Sequence, residues 1–419
     1  MLDNQASPRL FRYRLLLAVA FLFASGAMPW VRGDVRSGGE GHGRVKTGID
    51  VLEEQRFAAL RGKRVGLITN QTGVDSKGRR TIDVLARAEG VKLVAIFSPE
   101  HGVAGKVENT GVANATDRTT GLPVYSLYGE TRRPTREMLA NVDALVFDIQ
   151  DAGVRFYTYI TTMGYAMEEA AKRHIAFFVL DRPNPLGGEV IEGPMLDREP
   201  LSFVGYFPMP VRYAMTMGEL AQMFNAENKI GADLHVTAME GWHRSEIFAD
   251  TGLAWIPPSP NLRTLDETFL YPGIEPLQGG GVSVGRGTDT PFELFGAPWL
   301  VAADVAAELN RRAIPGVRFA TTLFTPNDGL YKDQYCQGVS VAITDRASFR
   351  SMRMGMEIAD TLHRMYPKQF QLEKMMFLFG SQSTLDRLER GDSPKDIVAG
   401  WAPDLDKFGA MRQKYLLYH

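Results

Sequence analysis

One stretch of the sequence, residues 143–172, concentrates side chains that bind polar ligands or exchange protons. A short apolar run opens the stretch, and acids, an amide, an arginine and tyrosines follow it closely. Either acid alone is equally compatible with a turn or a helix cap, but the combination favours a site for a polar ligand. The residues concerned are Asp148, Gln150, Asp151, Arg155, Tyr157 and Tyr159.

Glu100 is the preferred candidate for acid–base chemistry, because it follows an apolar run and Pro99 and has His101 beside it to tune or relay a proton. Cleavage of a glycosidic bond needs an acid for the leaving oxygen and a group that stabilises the oxocarbenium-like centre. Asp151 is the candidate for that second group and Glu192 the reserve. If the sugar carries an N-acetyl group, the second group need only orient it. The alternative for Glu100 is an acid in a solvent-exposed turn.

Two arginines are candidates for holding a carboxylate of the substrate, since a planar guanidinium matches a carboxylate bidentately. They are Arg155 and Arg286. Either is equally able to serve in a structural ion pair, and Asp151 is the obvious partner for Arg155. Arg286 belongs to a loop rich in glycine, residues 285–290, which is compatible with an anion-binding backbone nest or with a tight structural turn.

Signatures of several other chemistries are missing from the sequence. It contains no glycine-rich phosphate loop of a nucleotide-binding protein, no paired histidines of a helical zinc site and no serine nucleophile elbow. The seven histidines are scattered, so no dedicated metal site is expected. Carboxylates, amides and aromatic residues in loops remain, and they are typical of a carbohydrate site.

The candidate residues follow predicted strands. Short apolar runs in the first half alternate with helix-like segments, which indicates βαβ units and a largely parallel sheet. Because the carboxyl ends of parallel strands meet at one edge, their polar tails are expected to become neighbours there. The runs are residues 65–68, 91–97, 144–147 and 175–180, with 234–239 as a fifth. The tails carry Asn70, Glu100, His101, Asp148, Asp151, Asp181 and Asn184.

The second half has a different pattern. Residues 183–299 are dense in proline and glycine and are expected to form ordered loops over the sheet edge. From about Trp299 a second α/β unit is predicted. Its helices are predicted at 301–312 and 347–364, and its strands at 317–324 and 337–343.

Length and composition suit an exported protein with two domains. The chain has 419 residues, and its net charge of −2 argues against a nucleic-acid partner. Three arginines precede the apolar residues 15–27, which predicts a secretory signal peptide, with an uncleaved anchor as the alternative. Residues 28–46 are interpreted as a linker, 47–298 as a Rossmann-like domain and 299–419 as a smaller α/β domain. The protein is thus expected in the periplasm or secreted, and Cys336 is expected to be buried.

Seven motifs in one order resemble those of the NamZ/YbbC-like exo-β-N-acetylmuramidases, from about Gly48 to the C-terminus. They are GLITNQTGVD (66–75), FSPEHGVAG (97–105), VYSLYGETRRPT (124–135), FDIQDAGVRFYTYITTM (147–163), LDRPNPLGG with EGP (180–194), PPSPNL (257–262) and VGRGTDTPFELFGAPW (284–299). The resemblance implies a Rossmann-like N-terminal domain, a smaller α/β domain and a cleft between them. It also implies release of N-acetylmuramic acid from the non-reducing end of peptidoglycan fragments without a cofactor, and it places the family's glutamate and histidine at Glu100 and His101. One stretch, residues 278–281, departs from the family pattern, because Gln278 occupies the place of an acid.

The predicted partner is therefore a sugar derived from peptidoglycan, and no membrane span is expected once the signal segment is removed. Arg155 or Arg286 is predicted to bind the lactyl carboxylate of muramic acid. Two alternatives stay open, namely a non-catalytic binder of wall fragments and a muropeptide esterase or amidase; no oligomeric state is predicted. The full set of predicted substrate-binding residues is Asn70, Arg155, Tyr157, Asn184, Asn261, Arg286 and Thr290.

Overall fold

The computed structural model describes residues 44–108, 111–197 and 202–419. The predicted signal segment and most of the predicted linker lie outside the described residues. The last two linker residues belong to the folded part, because Val45 is buried and Lys46 exchanges two backbone hydrogen bonds with Glu240. In the part of the chain that is described, no helix has the length and apolar character needed to cross a membrane.

Within the described residues, a seven-stranded sheet dominates the first half of the chain. Its strands are β1 (Arg64–Thr69), β2 (Lys92–Ser98), β3 (Ala115–Thr116), β4 (Pro123–Ser126), β5 (Ala144–Asp148), β6 (Ala176–Leu180) and β9 (Leu234–Thr237). Their order is β3-β4-β2-β1-β5-β6-β9, and every pair is parallel except β3 with β4. The helices of this half are α1 (Gly48–Glu54), α2 (Thr81–Ala86), α3 (Tyr159–Ala171) and α4 (Met217–Glu227).

This sheet confirms the predicted fold class. All five predicted strands are present, with ends that differ by at most two residues from the prediction. Strands β5 and β6 are buried along their whole length, as expected for parallel strands covered on both faces. The predicted capping box at the start of α4 is also present, since the Thr216 side chain accepts from the Glu219 N–H at 3.3 Å.

The strand order creates a crevice at one edge of the sheet. Strand β1 pairs with β2 on one side and with β5 on the other. From β1 the chain adds β2 and then β4 on one side of the sheet. It then crosses over and adds β5, β6 and β9 on the other side. The loops that follow these strands therefore diverge, which is the arrangement at which α/β sheets bind ligands.

The second half covers that edge. A three-stranded antiparallel sheet in the order β10-β12-β11 and a two-stranded sheet, β7 with β8, are formed by described residues. These strands are β7 (Glu192–Met195), β8 (Pro210–Arg212), β10 (Leu294–Ala297), β11 (Val317–Phe324) and β12 (Cys336–Ile343). The helices are α5 (Leu265–Ile274), α6 (Ala302–Arg311), α7 (Ser351–Met365), α8 (Met376–Phe379), α9 (Gln382–Glu389), α10 (Pro394–Ala399) and α11 (Ala402–Arg412).

Helix α5 was not predicted from the sequence. It positions residues that line one wall of the functional site. It contains Pro272 and is followed at once by a 3-10 turn that begins at Glu275. Glycines let it approach α7 closely, because a Cβ atom on Gly355 would lie 2.5 Å from the carbonyl oxygen of Gly273. Residues 43–419 form one compact unit, and the predicted division at 298 stays a prediction. Cys336 is buried, as expected.

Candidate active site

A cavity of about 670 Å³ lies at the carboxyl ends of the parallel strands. Its volume is in the ~300–1,000 Å³ range of small-molecule sites. The segments that follow β2 and β5 form one side, and the turn after α5 together with residues 374–378 forms the other. The polar and aromatic side chains used below are those of Glu100, His101, Glu108, Tyr128, Arg132, Tyr157, Thr158, Tyr271, Glu275, Gln278, Arg286, Lys374 and Phe377.

Glu100 lines this cavity and is held there by a hydrogen bond. The Thr158 hydroxyl, at the start of α3, donates to Glu100 Oε2 at 2.5 Å. The Tyr128 hydroxyl lies near the same carboxylate. Burial, together with the charge of Glu100, raises the pKa of Tyr128 to about 12, so this hydroxyl keeps its proton. The Thr158 contact fixes the position of the carboxyl group on the cavity lining.

The neighbouring His101 lies in a left-handed turn with φ +68°. Its carbonyl oxygen accepts from the N–H groups of Lys106 and Val107, and its Nδ1 lies 2.7 Å from the carbonyl oxygen of Val107. A carbonyl only accepts, so Nδ1 carries the ring proton, and Nε2 of the neutral ring is an acceptor. The turn thus presents His101 to the cavity in one tautomer.

Aromatic rings line the base of the cavity. Tyr157 packs edge-on against Tyr159 and Tyr271, with ring centroids 4.7 and 6.1 Å apart. Burial raises the pKa of Tyr157 well above its usual range, so its hydroxyl remains a donor. Of the predicted substrate-binding residues, Tyr157 is one that the structure brings to the cavity.

Two further carboxylates on the cavity wall were not predicted from the sequence. Glu275 pairs with Arg286, whose Nη2 lies 2.7 Å from Glu275 Oε1. Burial raises the pKa of Glu275, and the Arg286 charge opposes that shift. Glu108 accepts from Asn261 Nδ2, which lies 2.9 and 2.8 Å from its two oxygens. Arg286 therefore reaches the cavity but already has an anionic partner, while Asn261 contacts the wall residue Glu108.

The predicted second carboxylates, Asp151 and Glu192, do not line the cavity. Asp151 accepts hydrogen bonds from the Tyr213 hydroxyl and, at 2.8 Å, from the Gly153 N–H. Burial raises the pKa of Asp151 to about 6. Glu192 forms a buried ion pair with Arg212 at 3.0 Å. Both side chains are thus engaged in buried contacts outside the cavity lining.

Arg155 is completely buried and does not pair with Asp151. Its two terminal nitrogens donate to four carbonyl oxygens at 2.7 to 3.1 Å. Burial lowers the pKa of this guanidinium to about 9. A substrate carboxylate has no access to it, so its position supports a structural role. The four acceptors are Pro194, Met209, Leu378 and Phe379.

The other predicted positions lie outside the cavity lining. Asn70 donates to the Tyr159 hydroxyl at 2.9 Å, and Asn184 donates to the Met215 carbonyl at the same distance. Both asparagines are buried, whereas Thr290 is exposed. Of the lining residues, the sequence predicted Glu100, His101, Tyr157 and Arg286. It did not predict Glu275, which follows α5 directly, because Pro272 three residues earlier is typical of a helix boundary.

The fold and the cavity together define a Rossmann-like α/β protein with a polar site at the carboxyl ends of its parallel strands. Family comparison agrees at both ends of the chain: residues 65–266 match the exo-beta-N-acetylmuramidase NamZ N-terminal model and residues 269–418 match the C-terminal model. The chain belongs to the NamZ family of exo-beta-N-acetylmuramidases. The two family regions meet before the predicted boundary at 298.

Relatives cover nearly the whole chain. The peptidoglycan beta-N-acetylmuramidase NamZ of Bacillus subtilis (strain 168) is 45% identical over 379 residues, which are 90% of this chain and 92% of the relative. A DUF1343 family protein of Bacteroides fragilis superposes with a TM-score of 0.83 at 44% identity, covering 90% of this chain and 99% of its own. A second DUF1343 protein of that organism gives 0.73 at 29% identity, with the same coverage.

Proposed function

We propose that the protein removes N-acetylmuramic acid from the non-reducing end of peptidoglycan fragments, outside the cytoplasm, with Glu100 as the general acid. The observation that carries the proposal is the position of Glu100, which lines the cavity and accepts a hydrogen bond from the Thr158 hydroxyl. The muramidase activity in the name of the Bacillus subtilis relative supports the choice of sugar.

In the proposed reaction, Glu100 gives its proton to the glycosidic oxygen while the bond between that oxygen and the anomeric carbon breaks. The resulting carboxylate then takes a proton from the water that adds to the anomeric carbon, which restores the acid. Free N-acetylmuramic acid and a fragment shortened by one sugar are the products. His101 also lines the cavity, and we assign its Nε2 atom to orienting the water or the sugar hydroxyls.

The group that stabilises the anomeric centre is proposed to be the N-acetyl oxygen of the substrate itself. Asp151 and Glu192 are engaged away from the cavity, by Tyr213 and by Arg212. Substrate-assisted hydrolases use the acetamido group in this way. A muramyl thiazoline, which resembles the cyclic intermediate, is therefore expected to inhibit competitively and more tightly than N-acetylmuramic acid; equal or weaker inhibition contradicts this assignment.

The acid role of Glu100 has a sharp test, because the need for an acid depends on the leaving group. Glu100→Gln should lose about 10²–10⁴-fold in kcat/KM on the disaccharide of N-acetylmuramic acid and N-acetylglucosamine. The loss should be much smaller on a nitrophenyl muramide, whose leaving group departs without a proton. Glu89→Gln, at an exposed position outside the cavity, is the matched control. Equal losses on both substrates, or full activity of Glu100→Gln on the disaccharide, would contradict the acid role. A wild type that binds the disaccharide without cleaving it would favour a non-catalytic binder.

A further inference from the structure

The cavity contains cations that the proposed chemistry has not used. Among the described lining residues, three carry a positive charge, namely Arg132, Arg286 and Lys374. Arg286 is bound to Glu275 at 2.7 Å. In the described part of the chain Arg132 makes no ion pair; its guanidinium instead stacks on two rings. A cation in a substrate cavity without an anionic partner is complementary to an anion on the substrate.

The guanidinium of Arg132 is oriented before any ligand arrives. Its central carbon lies 4.3 Å from the ring centroid of Phe203 and 5.2 Å from that of Tyr128. Stacking on aromatic faces fixes the plane of the group and leaves its N–H edge for hydrogen bonds in that plane. A planar edge with two donors is the geometry that binds a carboxylate bidentately.

Tyr128 links this cation to the catalytic acid. Its ring lies under Arg132, and its hydroxyl lies near the Glu100 carboxylate. The cation and the acid are therefore separated by a single side chain. A ligand with its anomeric carbon at Glu100 would place a substituent of the same sugar ring within reach of Arg132.

We propose that Arg132 binds the lactyl carboxylate of the muramic acid unit whose bond is cleaved, and that this contact distinguishes muramyl from glucosaminyl substrates. The inference rests on the proposed function and names the residue that sets its specificity. N-acetylmuramic acid differs from N-acetylglucosamine by the lactyl ether on O3, which carries the carboxylate. The two arginines expected from the sequence do not serve, because Arg155 is buried against four carbonyls and Arg286 is paired.

The test measures kcat/KM on nitrophenyl N-acetylmuramide and nitrophenyl N-acetylglucosaminide for Arg132→Met. Loss of a hydrogen-bonded charge should lower the muramide value on the order of 10- to 100-fold, mainly through KM, and leave the glucosaminide value nearly unchanged. Arg132→Lys keeps the charge but loses the planar pair of donors, so its muramide value should lie between those of the wild type and Arg132→Met.

Arg133→Met is the matched control, because Arg133 stacks on Tyr165 and pairs with Glu168 outside the cavity lining. It should leave the ratio of the two substrates unchanged. An equal loss on both substrates for Arg132→Met overturns the inference. A muramide-specific loss that appears with Lys374→Met and not with Arg132→Met overturns it as well.

Calorimetric binding of the free sugars separates this inference from the proposed function. A wild-type protein that hydrolyses neither nitrophenyl substrate defeats the proposed function but leaves the binding experiment intact. The inference then requires that the wild type bind N-acetylmuramic acid more tightly than N-acetylglucosamine, and that Arg132→Met remove the difference. A wild type without that preference, or a preference that survives Arg132→Met, overturns it.

Discussion

Replacing Arg155 by methionine should destabilise the fold without changing which sugar the protein prefers. The side chain connects the loop after β5 to the carbonyls of Pro194 and Met209, and to those of Leu378 and Phe379 in α8. Hydrogen bonds from a charged donor contribute ~1.5–3 kcal/mol each, which gives a large gross loss for four contacts. Methionine also removes the cost of burying the guanidinium, which its lowered pKa of about 9 reports. We therefore expect a net loss of about 3–5 kcal/mol, as for other broken buried charge networks.

The assay is urea unfolding of the wild type, Arg155→Met and Arg133→Met at one pH. Arg133→Met removes a partly exposed ion pair with Glu168 and should cost no more than ~1 kcal/mol. Substrate preference is then measured without urea, at a temperature at which Arg155→Met is folded. Wild-type stability together with a muramide-specific loss of activity would refute the structural role and return Arg155 to the substrate site.

Two further predictions concern buried charges away from the cavity. Arg182→Met should lower the free energy of unfolding by ~3–5 kcal/mol, because it leaves the buried Asp148 carboxylate without its partner at 2.5 Å; urea unfolding checks this, and a change below ~1 kcal/mol contradicts it. Burial raises the pKa of Asp181 to about 6, above its unfolded value of ~4, so its contribution is fully present below pH ~4 and is lost as the pH rises through 6. The stability of the wild type relative to Asp181→Asn should therefore fall by ~2–3 kcal/mol between pH 4 and 7; a rise or a flat profile contradicts this.

The parallel sheet was predictable because its signals are local. Strands such as β5 and β6 are continuous apolar runs, and the residue after each run is polar, so both the strands and the edge at which their tails meet follow from the sequence. Glu100 and Tyr157 reach the cavity for the same reason. Each follows a strand that points toward that edge.

The contacts that depend on distant segments were not predictable. Arg155 was a candidate for the substrate because nothing near it in sequence shows that Leu378 and Phe379 accept its hydrogen bonds. Glu275 was missed because a proline such as Pro272 is typical of a helix boundary. Here α5 continues past Pro272 to Ile274, and it packs against α7. Arg132 belongs to the motif at residues 124–135, but its role was not predictable from that motif. Its guanidinium stacks on Phe203, which lies far along the chain.

The central claim is that the cavity around Glu100 hydrolyses the terminal muramyl bond. Mass spectrometry of reaction mixtures that contain a peptidoglycan disaccharide with muramic acid at its non-reducing end tests this claim most directly. We predict that the wild type releases free N-acetylmuramic acid, while Glu100→Gln, with an unfolding midpoint equal to that of the wild type, binds the disaccharide and releases almost none. Equal release by the two proteins, or an intact disaccharide after prolonged incubation with the wild type, would contradict it.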